Sequence, residues 1–128
     1  MQNLDSREAI KLLVDEFYKK VSQDDLLGPV FNEVAQIDWD HHLPKMYDFW
    51  ETVLFGAQKF KGNPMDTHIQ LSKHTPLTKP HFDRWLALFT NTVDEHFKGN
   101  KAEEAKMRAH SIAGIMQHKI NGHFSKVD

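Results

Sequence analysis

No cysteine occurs anywhere in the 128 residues. Disulfides, zinc–thiolate centres and cysteine nucleophiles are therefore excluded, so any chemistry must come from other side chains. No apolar run approaches the ~18 residues that would make a membrane-spanning helix. The opening Met1-Gln2-Asn3-Leu4-Asp5 also lacks the basic and apolar regions of a secretory leader. The expectation is a cytoplasmic protein with no membrane partner. Charge of one sign is missing too: 16 basic and 18 acidic residues are interspersed, for a net charge of −2. That balance leaves no electrostatic footprint for nucleic acid. No segment alternates convincingly at period two, and repeats, low-complexity tracts and linkers are absent. What remains is an all-α chain, expected to form one domain over residues 1–128 with a tail that frays from about 121.

Histidine, by contrast, is abundant, with nine in the chain: His41, His42, His68, His74, His81, His96, His110, His118 and His123. As the commonest metal ligand, histidine makes a metal centre worth testing. No HExxH motif is present, and no two histidines stand at i, i+4. Asp38 and His41 stand at i, i+3, but two ligands do not make a site. His74, His81, His96, His110, His118 and His123 are assigned to surface or helix-end roles.

Apolar periodicity outlines four longer helices. The first covers residues 6–22, with Asp5 and Glu8 at capping-box spacing and Ile10, Leu13, Val14, Phe17 and Val21 on one face. Tyr18 lies at the edge of that stripe, where its hydroxyl faces either water or a pocket. Gln23-Asp24-Asp25 and Gly28-Pro29 punctuate a corner anchored by Leu26, Leu27, Val30 and Phe31, and Phe31 is placed to be a wall residue. Asp38 caps a second helix that runs to about Gly56, with Trp39, Leu43, Met46, Phe49, Trp50, Val53 and Leu54 on one face. His42 falls within that face and points inward, whereas His41 faces water. Pro44 removes the bond to the carbonyl of Asp40, so an irregular or tight turn is expected over residues 41–43, with the regular helix beginning near Pro44. A third helix starts at Thr78 and Pro80 and carries Phe82, Trp85, Leu86, Phe89 and Val93. A fourth, with Asn100 and Glu103 at capping-box spacing, turns Ala102, Ala105, Ala109, Ile112, Ile115 and Met116 inward and pairs Glu104 with Arg108 at i, i+4.

Between the second and third helices lies Asn63-Pro64-Met65-Asp66-Thr67-His68-Ile69-Gln70-Leu71. Asn63 suits the N-cap, Pro64 the first helical position, and Asp66 the positive end of the helix dipole. A helix of under ~12 residues is marginal alone, so the fold or a ligand bond must hold it. Met65 and Leu71 share a face with His68, which points the imidazole into an apolar interior. Taken alone, that describes a hydrogen-bonded core histidine as well as an iron ligand. A haem needs an apolar slot, one neutral imidazole, and control of the opposite side. Phe31, Met46, Phe49, Phe82, Leu86 and Ile112 are suited to line such a slot. Tyr18, His42 and Trp85 come from three different helices, and each can donate a hydrogen bond there.

These residues fall into ordered motifs: Phe17-Tyr18-x-x-Val21, Leu27-Gly28-Pro29-x-Phe31, Trp39-x-x-His42-x-x-Lys45-Met46-x-x-Phe49-Trp50, Gly62-x-Pro64-x-x-x-His68 and Phe82-x-x-Trp85-Leu86-x-Leu88-Phe89. Together they resemble the group III truncated haemoglobins over residues 9–119. The glycine pairs of groups I and II are missing, as in group III. The resemblance implies a two-over-two helical globin sandwich around haem b. His68 then matches the proximal iron ligand, Tyr18 the distal tyrosine, His42 the distal histidine and Trp85 the distal tryptophan. Phe31 matches the aromatic packed on the porphyrin, and Trp50 an aromatic further along the distal helix. Lys45 resembles a residue that meets a haem propionate, with a solvated lysine as the equal alternative.

Three functions follow as expectations. The first is a monomeric haem protein that reversibly binds dioxygen, nitric oxide and carbon monoxide, for storage, transport, scavenging or sensing. The second is a haem enzyme, either a nitric oxide dioxygenase or peroxidase-like, which would need a separate reductase as electron donor. The third is a haem-free helical interaction domain with an exposed apolar groove.

Overall fold

The computed structural model describes residues 1–34, 38–56 and 77–125. Four α-helices dominate: α1 (Arg7–Gln23), α2 (Trp39–Phe55), α3 (Lys79–His96) and α4 (Asn100–Ser125). A short π-helix, Val30–Val34, lies between α1 and α2. Two short strands, β1 (Gln2–Asn3) and β2 (Phe97–Lys98), pair in parallel and tie the N-terminus to the α3–α4 corner. The helices pack as two pairs, α1 on α2 and α3 on α4, and the pairs meet through α1–α3 and α2–α4 contacts. This is an all-α sandwich of two helices over two, the arrangement that the resemblance implies.

Helix ends follow local chemistry. The cap of α1 is Ser6, whose Oγ accepts the Ala9 amide at 3.1 Å, one residue later than the Asp5–Glu8 spacing suggested. Asp24 closes α1 and folds the following corner, because its Oδ2 accepts the amides of Leu26 and Leu27 at 3.0 and 2.9 Å. Gly28 lets that corner approach α1: a β-carbon there would lie 2.9 Å from the Ser22 carbonyl oxygen. At the other end of α2, Gly56 takes the left-handed conformation at φ 72° and gives its amide to the Thr52 carbonyl.

Pro44 does not delay α2, which runs as helix from Trp39. The Asp38 carbonyl accepts both the His41 amide at 3.1 Å and the His42 amide at 2.9 Å, so the tightening is confined to a shared first-turn bond. The start of α3 is at Thr78, as expected, and His81 has the helix-end role assigned to it: its Nδ1 accepts the Thr78 amide at 3.0 Å and lies 2.9 Å from the Thr78 hydroxyl, filling the place usually taken by Glu or Gln in a capping box. In α4, Glu104 pairs with Arg108 as expected, at 3.8 Å. Ile115 does not turn inward but is 52 % exposed. Ala113 and Met116 take the buried positions, because an α-helix advances 3.6 residues per turn and Ile115 lies off that stripe. The helix also continues to Ser125, past the expected fraying point at 121.

The core fills the space between the pairs. Phe17 sits at its centre, packing edge-on against Phe89 (ring centroids 5.2 Å apart) and Trp85 (5.6 Å). Trp50 of α2 stacks on Phe89 with ring centroids 4.8 Å apart. Ile10, Leu13, Val14, Val21 and Val93 complete a region with almost no exposure. Each fully buried side chain of this kind contributes about 1.5–3 kcal/mol. At the rim, Arg7 of α1 donates to the nearly buried Glu51 of α2 at 2.6 Å and to Asp48 at 3.0 Å, and Tyr47 donates to Asp15.

Candidate functional site

Tyr18 follows Phe17 on α1, and that single step, a turn of about 100° on a helix, moves the side chain from the core centre to its border. There it meets three rings. His42 of α2 stands edge-on at 5.0 Å, Trp39 is tilted at 5.5 Å, and Phe31 of the π-helix is at 6.2 Å. The corner held by Asp24 is what brings Phe31 back over α1. Burial pushes the Tyr18 phenol far above its ordinary pKa, so it remains a neutral O–H donor at any physiological pH.

His42 reaches this cluster because α2 begins early enough to turn it inward. His41, one residue away, is exposed, with Nε2 3.7 Å from Asp38 Oδ2. Among the described residues no three His, Cys, Asp or Glu side chains converge, so that pair does not grow into a metal site there.

Trp85 arrives from α3, stacked on Phe89 at 5.8 Å and linked to Tyr18 through the ring of Phe17. Phe31, Trp85 and Ile112 each touch both the main core and a second apolar cluster of Val30, Leu77, Phe82, Ala113 and Met116. All three remain half-buried. Met46, Phe49 and Leu86 are half-buried against the main core as well. Lys45 is exposed. Met65 and His68 lie outside the described residues.

The residues present fit a haem. Half-buried aromatic and aliphatic side chains from the π-helix, α2, α3 and α4 offer apolar surface of the kind a porphyrin covers. Tyr18, His42 and Trp85, named from sequence, each carry a group that can donate a hydrogen bond at this border. Sequence reasoning overlooked Trp39 as a site residue, although its i, i+3 spacing from His42 puts the two on one face. It also took Asp24 for simple punctuation. The Asp24 carboxylate accepts Arg84 of α3 at 2.6 Å, fastening the corner that carries Phe31 to the helix that carries Trp85.

Known proteins resemble this chain in sequence and in fold. The group 3 truncated hemoglobin ctb of Campylobacter jejuni is 31 % identical over 124 residues, covering 92 % of this chain and 95 % of the relative. A group 1 truncated hemoglobin, GlbN of Nostoc commune, is 35 % identical over 82 residues, or 63 % of this chain and 64 % of the relative. The crystal structure of the group III truncated hemoglobin from Campylobacter jejuni superposes with a TM-score of 0.82 at 29 % identity, covering 94 % of this chain and 95 % of that one. The family model for bacterial-like globins matches residues 2–121. Fold and likeness agree: the chain belongs to the bacterial-like globins and, over most of its length, is similar to a group III truncated haemoglobin.

Proposed function

We propose that this globin holds haem b through His68 and binds dioxygen reversibly, with Tyr18, His42 and Trp85 donating hydrogen bonds to the gas. Family membership implies a haem-binding globin. The observation that carries the finer reading is the packing of Tyr18 against His42 in a cluster otherwise made of Phe31 and Trp39. When bound, haem would supply an iron able to take up a diatomic gas.

The protein's own part is to shape what surrounds that position. Phe31, Met46, Phe49, Met65, Phe82, Leu86 and Ile112 exclude water and cover the porphyrin, and Lys45 meets a propionate from its exposed place on α2. Tyr18 keeps its proton because burial disfavours the phenolate, so it donates rather than repels. In a low-dielectric border such a donor holds a partly negative ligand more strongly than it would in water. Carbon monoxide and nitric oxide would occupy the same space. Turnover of nitric oxide or peroxide would require electrons from a separate reductase.

The test is an absorption spectrum of the purified protein, as isolated and after haem addition, then reduced and exposed to carbon monoxide. A Soret band that shifts to the position of a histidine-ligated ferrous carbonyl supports the reading. A protein that stays colourless and takes up no haem overturns it and favours the helical interaction domain.

A further inference from the structure

Three rings at the mouth of α2 touch pairwise. Tyr18 and His42 are 5.0 Å apart at an interplanar angle of 86°, Trp39 and His42 are 5.6 Å apart at 81°, and Tyr18 and Trp39 are 5.5 Å apart at 53°. Among the described residues the imidazole of His42 therefore has an edge-on neighbour from α1 and another from its own helix. Trp39 is fixed in turn from behind, with its indole nearly parallel to Phe31 at 6.2 Å and 17°. The backbone alone holds this turn less firmly than a regular helix would. His42 lies in the first turns of α2, and Pro44, two residues later, cannot donate to the Asp40 carbonyl. Where a backbone bond is missing, side-chain packing has more influence over the local pose.

We propose that Trp39 is a positioning residue, which holds the His42 imidazole against Tyr18 and so keeps both donors directed into the gas-ligand pocket. Trp39 does not itself touch the ligand; it acts through His42. Without its indole the imidazole loses an edge-on neighbour and swings toward solvent around its side-chain torsions. The kinetic consequence rests on the gas-binding reading above, whereas the structural consequence does not.

The test uses the full-length chain and two measurements. The first is the nuclear Overhauser effect between the His42 and Tyr18 ring protons, taken on the protein as purified and on its ferrous carbon monoxide form. It is expected to be strong in the wild type and in Trp39→Phe, and to be lost in Trp39→Ala. The second is the dioxygen dissociation rate, which should rise roughly three- to tenfold in Trp39→Ala, the size expected from removing one aromatic pair. Trp39→Phe should restore it. In a His42→Ala background the same Trp39→Ala change should add almost nothing, because the residue through which it acts is gone.

An equal rise in both backgrounds, or an unchanged Tyr18–His42 cross-peak in Trp39→Ala, overturns the proposal and reduces Trp39 to a packing residue. If Trp39→Ala loses its helical circular dichroism, Trp39→Leu takes its place, because it keeps apolar bulk while removing the ring. A wild-type protein without haem would end the gas-binding reading, yet the cross-peak would still decide whether Trp39 positions His42.

Discussion

The rings of Phe17, Phe89 and Trp50 are sealed from water, whereas most of those one residue further along α1, around Tyr18, are not. Phe17, Phe89 and Trp50 are at most 2 % exposed and meet other apolar side chains. Tyr18 is itself buried, but its partners Phe31, Trp39 and His42 are only half-buried, and three of the four members carry a polar atom. The first region stabilises the fold. The second gives up part of the same burial to keep donors at a surface that a cofactor can cover, which is how functional sites commonly depart from core rules. The two should respond differently to mutation. Leu13→Ala, at a fully buried position of the sealed region, should cost about 2–5 kcal/mol through lost transfer energy and a residual cavity. Denaturant unfolding would measure this, and gas dissociation should stay near the wild-type rate. A large kinetic change in that variant would mean that the two regions are not separable.

Asp24 joins the regions, and its protonation should loosen one more than the other. Burial by itself would raise the carboxyl pKa, but the Leu27 amide, the Arg84 guanidinium and the Leu26 amide outweigh it and hold it below the ordinary value. The sign follows from linkage. A carboxyl whose folded pKa lies below that of the unfolded chain, ~3.9, stabilises fully above that value and loses its contribution as pH falls through the folded pKa. Replacing Asp24 by Asn should therefore flatten the acid limb of the stability profile below about pH 4. It should also cost about 1–3 kcal/mol near neutral pH, since Leu26, Leu27 and Arg84 lose a charged acceptor. Thermal melts from pH 3 to 7, a window spanning that unfolded value of ~3.9, would check both statements. Parallel curves for wild type and variant would remove Asp24 from the acid response. The corner carrying Phe31 should loosen first, which the Tyr18–Phe31 ring proximity lets NMR follow.

The sequence foretold these regions to different depths. Apolar stripes at i, i+3 and i+4 predicted all four helices, because burial on one helical face is a local pattern. The same stripes turned Tyr18 and His42 toward the interior, where they meet. What depends on the angle of a chain reversal was not legible: the stacking of Trp39 on Phe31 requires the corner after α1 to fold back by a particular amount. The pairing of Asp24 with Arg84 spans 60 residues and leaves no periodic trace. His81 keeps the helix-end role expected of it, although only the structure shows the form of that role, a cap in which an imidazole stands where Glu or Gln is the usual signal. At Ile115 hydrophobicity outvoted register, and the residue is exposed. His68, the match to the proximal iron ligand, lies outside the described residues, so its ligand role rests on the proposal.

The smallest expected effect on stability is also the sharpest test of the difference between the two regions. Replacing Tyr18 by Phe removes one oxygen and keeps the ring, so the contacts with Phe17, Trp39 and His42 survive. In a sealed core such a change is close to neutral or mildly stabilising, because no polar atom has to be satisfied. At the Tyr18 border the lost atom is the donor itself. A net hydrogen bond of about 1 kcal/mol corresponds to a dissociation rate roughly fivefold higher, and association should change little. Stopped-flow measurement of dioxygen release beside a denaturation curve would read both quantities from one preparation. A faster release at unchanged stability assigns Tyr18 to the ligand, whereas a stability loss with unchanged release would make its hydroxyl part of the fold's own hydrogen bonding and leave His42 and Trp85 as the remaining donors.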